Sequence, residues 1–146
     1  MDTMGNLGCI VYVGLAGKGY SATDAELMLN AARESRCLVE LTGLAVFANG
    51  LILTLIEGEA DHVNNYYKSV TQHIGVGLQN VIKLLDRPIQ RRAFGDYCLA
   101  FKTYDESLKL LDTFQNDDGL RYFDRFLSKG NVVSKMVKGF IDEQSV

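Results

Sequence analysis

The chain has 146 residues, 47 % of them hydrophobic and 23 % charged, with a formal net charge of −3. That is the composition of one globular domain burying roughly 70 % of its unfolded surface, and its slight acidity gives no basis for a nucleic-acid partner. No apolar run approaches the ~20 residues of a membrane helix, and Met1 to Gly8 lacks the basic and apolar regions of a signal peptide. The expectation is therefore a cytoplasmic protein without membrane insertion.

Cys9 to Leu15 is short, apolar and β-branched, which predicts a strand. Gly14-Leu-Ala-Gly-Lys-Gly-Tyr-Ser21 looks like a phosphate loop. However, two residues rather than four separate the first glycine from the Gly-Lys pair, and Gly19 follows the lysine. A strand-to-helix turn is the better reading. Thr23 and Glu26 have capping-box spacing, predicting a helix to about Arg36 with Leu27, Met28 and Ala31 facing inward. Leu38 to Ala48 reads as a strand, and Asn49-Gly50 as a two-residue hairpin turn. The returning strand, Leu51 to Gly58, is apolar on both sides with Thr54 at its centre.

Ala60 to Ile74 carries Val63, Tyr66 or Tyr67, Val70 and Ile74 at helical spacing. Val81–Leu85 and Tyr97–Phe101 are further expected strands, separated by the polar loop Asp86–Arg92. Arg87, Arg91 and Arg92 in that loop are read as solvated, with anion binding as the lesser alternative. Thr103 and Glu106 repeat the capping logic ahead of Leu108, Leu111 and Phe114. Beyond Asn116-Asp-Asp-Gly119, Leu120, Phe123 and Leu127, then Val133, Met136, Val137 and Phe140, mark amphipathic helix.

This order predicts an α+β fold: a ferredoxin-like βαββαββ sheet with two helices on one face. Central strands that are apolar on both sides need cover on the second face too, and the C-terminal helices are expected to supply it. The division expected is a domain over 8–102 and a helical extension over 103–146, within one globular unit. Cys9, Cys37 and Cys98 lie apart within apolar patterns and read as reduced, buried thiols. His62 and His73, about 16 Å apart along one helix, cannot share a metal. With no distinctive Ser/His/Asp arrangement either, the chain is not expected to be an enzyme.

Four segments together resemble the BLUF domains, blue-light sensors that use FAD. They are the strand Cys9–Ala16, the stretch Ala32–Gly43 ending in Leu-Thr-Gly, the strand ending Leu-Ile-Glu-Gly58, and Arg92–Phe101. The resemblance spans roughly residues 8 to 102. It implies a flavin held between two helices on the sheet, with output through C-terminal helices covering the opposite face. It also implies a photochemical tyrosine on the first strand, which matches Tyr12, and a glutamine on the third, where Thr54 stands. The family's ring-binding asparagine falls on Arg36, and its late Trp and Met positions fall on Tyr97 and Leu99. The family's Asp-x-Arg-His segment is replaced by His73–Leu78. A threonine hydroxyl has fewer donors and a shorter reach than an amide, and a guanidinium at Arg36 needs partners of its own, Glu40 and Glu57 being candidates.

Tyr12, Arg36, Thr54 and Tyr97 are thus the former flavin-cleft positions. The expectation is a BLUF-fold signalling and protein-interaction module without flavin photochemistry or bound cofactor. The resemblance further implies regulatory protein partners and self-assembly into a homo-oligomer. The alternative is an FAD-binding blue-light photoreceptor with altered chemistry. A third reading gives the cleft a small anionic ligand anchored by Arg36 or the Arg87–Arg92 loop.

Overall fold

A computed structural model describes residues 6–16, 21–72 and 78–144. The elements are β1 (Leu7–Ala16), α1 (Ala22–Leu38), β2 (Thr42–Ala48), β3 (Leu51–Glu59), α2 (Ala60–Gln72), β4 (Leu78–Pro88) and β5 (Ala100–Thr103). A 3-10 turn (Glu106–Leu111), α3 (Asp117–Leu127) and α4 (Val132–Gln144) follow. The five strands form one sheet in the order β4-β1-β3-β2-β5. β1 pairs antiparallel with β3 and β4, β2 pairs antiparallel with β3, and β2 runs parallel to β5. The βαββαββ order expected from the sequence is the order found.

Strand alternation sends successive side chains to opposite faces, and here both sets are apolar. Cys9, Val11, Leu44, Val46, Leu53 and Leu55 point to one side and meet Phe114, Phe123, Phe126 and Val137 of the C-terminal segment. On the other side, Ala45, Phe47 and Ile52 pack under Ala25 and Leu29 of α1. Ile10, Tyr12 and Ile56 pack there under Val63 of α2. Each large side chain buried this way contributes roughly 1.5–3 kcal/mol. The sheet is therefore the middle of three layers. Asn49 and Gly50 turn the β2–β3 hairpin with φ of 52° and 77°, the positive values that an Asn-Gly turn supplies.

Several local expectations need correction. The helix cap is Ser21, not Thr23: Ser21 Oγ accepts from Asp24 N at 3.1 Å, and Asp24 Oδ2 accepts from Ser21 N at 3.3 Å. The buried face of α1 also differs from the one expected. Ala25 and Leu29 are buried, Leu27 is 66 % exposed, and Ala31 is exposed. Leu38 closes α1 instead of opening a strand, because the chain reverses at Glu40 with φ 53° before β2 begins. β4 extends to Pro88 and takes up part of the expected polar loop, whereas β5 begins only at Ala100.

Thr103 ends β5 rather than capping a helix. Asp105 caps the 3-10 turn through Ser107 N at 2.9 Å, and Asp112 holds the backbone N–H groups of Thr103 and Phe114. In α3 the buried apolar residues are Phe123 and Phe126, while Leu120 is exposed. Ile74 and His73 lie outside the described residues.

Of the three cysteines, Cys9 is as expected and Cys37 and Cys98 are not. Cys9 is a buried free thiol, pushed up to about 12 mainly by burial, with the Glu57 charge adding to it. Cys37 and Cys98 form a disulfide across 61 residues, their Cα atoms 5.5 Å apart. Neither carries a sequence signal for pairing, since α1 and the approach to β5 become neighbours only through the sheet.

The corrected cap generates a test. Ser21→Ala should lower stability to urea by about 1 kcal/mol, the usual cost of losing an N-cap, whereas Thr23→Ala should change it by less than about 0.5 kcal/mol.

Candidate functional site

Tyr12 and Thr54 face each other directly across the central β1–β3 pair, on the side of the sheet that carries α1 and α2. Both are buried, at 3 % and 5 % exposure. The last full turn of α1 brings Arg36 to the same place, where it is 1 % exposed. Its Nη1 donates to the Cys98 carbonyl at 3.2 Å, and its guanidinium carbon lies 5.2 Å from the centre of the Tyr66 ring. Nη1 also lies 3.1 Å from the point that a Cβ on Gly43 would occupy. A Cβ there would first collide with the Leu55 carbonyl of the paired strand, so the glycine serves the β2–β3 backbone before it serves the guanidinium. Tyr67 packs edge-on against Tyr12 with ring centres 5.4 Å apart.

Burial pushes the Tyr12 phenol up to about 12, the largest of the influences on it. The Arg36 charge opposes that shift, Tyr66 adds to it, and side-chain hydrogen bonding with Thr54 and Arg36 opposes it further. The sequence-predicted trio of Tyr12, Arg36 and Thr54 is thus one cluster. Neither acid suggested for Arg36 pairs with it. Among the described residues, Arg36 Nε has no hydrogen-bond partner at all.

Glu57 is engaged on the opposite face of the sheet. Its carboxylate accepts from Ala93 N at 2.8 Å, Phe94 N at 2.7 Å and Thr42 Oγ1 at 2.9 Å. Arg92 donates to Thr42 Oγ1 at 3.3 Å and to the Glu40 carbonyl at 2.6 Å. Glu57 therefore fixes the segment entering β5 to the sheet, and Gly58 beside it leaves space that a Cβ would take from Leu41 Cδ2. These contacts account structurally for Thr42-Gly43 and Glu57-Gly58.

Tyr97 stands apart from the trio. Its ring meets Phe114 at 5.9 Å and Tyr122 at 5.3 Å, both edge-on, in the layer formed by the C-terminal segment. The three loop arginines do not make one site either. Arg92 serves the backbone as described, while Arg87 and Arg91 line a concavity of about 360 Å³ bordered by Ile89, Phe126 and Val133. No three His, Cys, Asp or Glu side chains gather at metal-binding distance among the described residues. Tyr66 and the Cys37–Cys98 bond were missed by sequence reasoning. Tyr66 was visible only as one of two apolar-face candidates on α2.

A first-strand tyrosine on the sheet face that carries two helices is the arrangement the resemblance implies. The family described as sensors of blue-light using FAD (BLUF) matches residues 7–100. The chain belongs to the BLUF family. Among solved structures, the dark state of BlrB, a BLUF protein, is 17 % identical, with 97 % of this chain and 99 % of that one covered at a TM-score of 0.66. The ground state of BlsA is 15 % identical, with 86 % and 89 % covered at 0.64. A bacterial light-regulated adenylyl cyclase is 14 % identical, with 94 % of this chain but 33 % of that one covered at 0.64. These likenesses establish the BLUF fold. No curated protein matches.

The Tyr12 shift has a stability consequence. The folded state holds this proton above the ordinary tyrosine value near 10, so the stabilisation is complete below pH 10 and is lost as pH rises toward 12. Tyr12→Phe should make the urea-unfolding free energy fall less steeply over that interval, by up to about 1.4 kcal/mol per pH unit. An unchanged slope would show that Tyr12 ionises normally.

Proposed function

We propose that this BLUF-family chain is a signalling and protein-interaction module that has lost flavin photochemistry, with the Arg36 guanidinium standing where the family holds the polar edge of the flavin ring. The observation carrying this reading is the burial of Arg36 between Tyr12, Gly43 and Tyr66, with its Nη1 already bound to the Cys98 carbonyl. These side chains do not fit a flavin ring. An amide at that position offers a neutral donor and acceptor, whereas a guanidinium offers donors alone and a permanent charge. Thr54 supports the same reading, since its hydroxyl lies within reach of Tyr12 and has no second group to extend toward a ring. No catalytic role is assigned to any residue.

As a module, the chain would work through protein partners or a second copy of itself. α3 and α4 turn their apolar residues onto their own sheet, which leaves Leu120 and Val132 as their exposed large hydrophobic residues. Contact through these helices would therefore use their charged outer faces. Among the described residues no helix is long and apolar enough to cross a membrane.

The unpartnered Arg36 Nε favours a second reading, in which a small carboxylate or phosphate enters the cleft and accepts from it. Stabilisation by inorganic phosphate in a thermal-shift series would support that occupant.

FAD titrations followed by flavin fluorescence anisotropy test the main proposal. The wild-type chain should leave FAD tumbling freely at micromolar protein, and Arg36→Asn combined with Thr54→Gln should raise the anisotropy. Tight, stoichiometric FAD binding by the wild type would refute it.

A further inference from the structure

We propose that the Cys37–Cys98 disulfide is a reversible thiol-exchange site, through which a thiol or dithiol reductant sets how firmly the cleft is coupled to the C-terminal layer. This inference does not depend on whether the cleft binds flavin. It follows from what the bond joins. Cys37 lies in the last turn of α1, next to Arg36, and Cys98 lies in the segment that leads into β5.

Residues 97–99 connect two regions of the molecule. Toward the cleft, their carbonyls accept single hydrogen bonds: Cys98 from Arg36 Nη1 at 3.2 Å, Leu99 from Arg33 Nε at 3.0 Å, and Tyr97 from Gly43 N at 3.2 Å. Toward the other face, the Tyr97 ring sits against Phe114 and Tyr122. Tyr122 in turn donates to the Ala93 carbonyl at 2.8 Å. The segment thus contacts Arg36 on one side and α3 on the other, and the disulfide is its covalent tie to α1. Two of these hydrogen bonds have an arginine donor and are worth about 1.5–3 kcal/mol each, and the disulfide adds to them a tie that a reductant can open.

The bond is also reachable. Cys37 is exposed and Cys98 is half-buried, whereas Cys9 is buried and too protected to exchange. Exchange proceeds in two balanced steps. A reductant thiolate attacks Cys37 Sγ, the Cys37–Cys98 bond breaks, and Cys98 leaves as a thiolate that takes up a proton. The reductant's second thiol, as thiolate, then attacks the mixed disulfide and releases Cys37, which is protonated in turn. The protein gains two electrons and two protons, and the dithiol becomes a disulfide. An oxidised dithiol runs the sequence backwards.

The test uses the full chain, equilibrated in mixtures of reduced and oxidised dithiothreitol, acid-quenched and labelled with a maleimide. Cys37 and Cys98 should acquire label together along a single two-electron transition, and Cys9→Ser should leave that transition in place. Amide exchange on reduction should quicken about tenfold over residues 97–101 and also in α3, with α2 unchanged. Cys98→Ser should reproduce this pattern without reductant, with Cys37→Ser as the substitute if that variant does not fold. Three results would overturn the proposal. They are free Cys37 and Cys98 thiols in oxidising buffer, a bond that dithiothreitol does not open in the folded protein, and an opened bond that leaves exchange in 97–101 and α3 unaltered.

Discussion

A guanidinium at 1 % exposure must find its compensation within the protein, and Arg36 finds it in two partners far apart in sequence. Removing such a charge from water costs several kcal/mol. Against that stand a charge-assisted hydrogen bond to the Cys98 carbonyl, worth about 1.5–3 kcal/mol, and the Tyr66 ring face, worth about 2 kcal/mol when desolvated. Both partners are fixed in place by elements distant in sequence. The arginine therefore ties α1 to α2 and to the approach of β5, on the face of the sheet that carries both helices.

The sheet makes that tie consequential. Its strands are apolar on both faces, so one side of each central strand belongs to the cleft and the other to the C-terminal layer. Thr54 faces the cleft, while its neighbours Leu53 and Leu55 support Phe123 and its surroundings. Glu57, one turn of the pleat further on, holds the backbone of Ala93 and Phe94 and so sets where the chain enters β5. A displacement at the cleft has only a single sheet between it and α3.

Much of this was legible in the sequence, and the physical reasons are specific. The short β-branched apolar runs at 9–15 and 51–58, together with Asn49-Gly50, are local patterns that the backbone obeys directly, so the order of elements along the chain and the hairpin emerged correctly. The need for a third layer followed from two apolar strand faces. Tyr12, Thr54 and Arg36 were picked out as cleft positions by the family resemblance alone, and the register of β1 on β3 then sets Tyr12 opposite Thr54. The start of α1 was not legible, because Ser21 and Thr23 are both acceptable caps with an acidic residue three positions on. Nor was the position of Tyr97, whose side depends on where β5 begins. The partner of Cys37 was hidden for the most basic reason: a contact across 61 residues leaves no trace in local spacing.

The account stands or falls on whether Arg36 has displaced the flavin. The most direct measurement is the visible absorption spectrum of the purified chain after incubation with excess FAD and gel filtration, before and after blue illumination. The account predicts a colourless protein peak, with all flavin absorbance eluting as the free cofactor. A flavin band that travels with the protein, and shifts reversibly to longer wavelength under blue light, would contradict it.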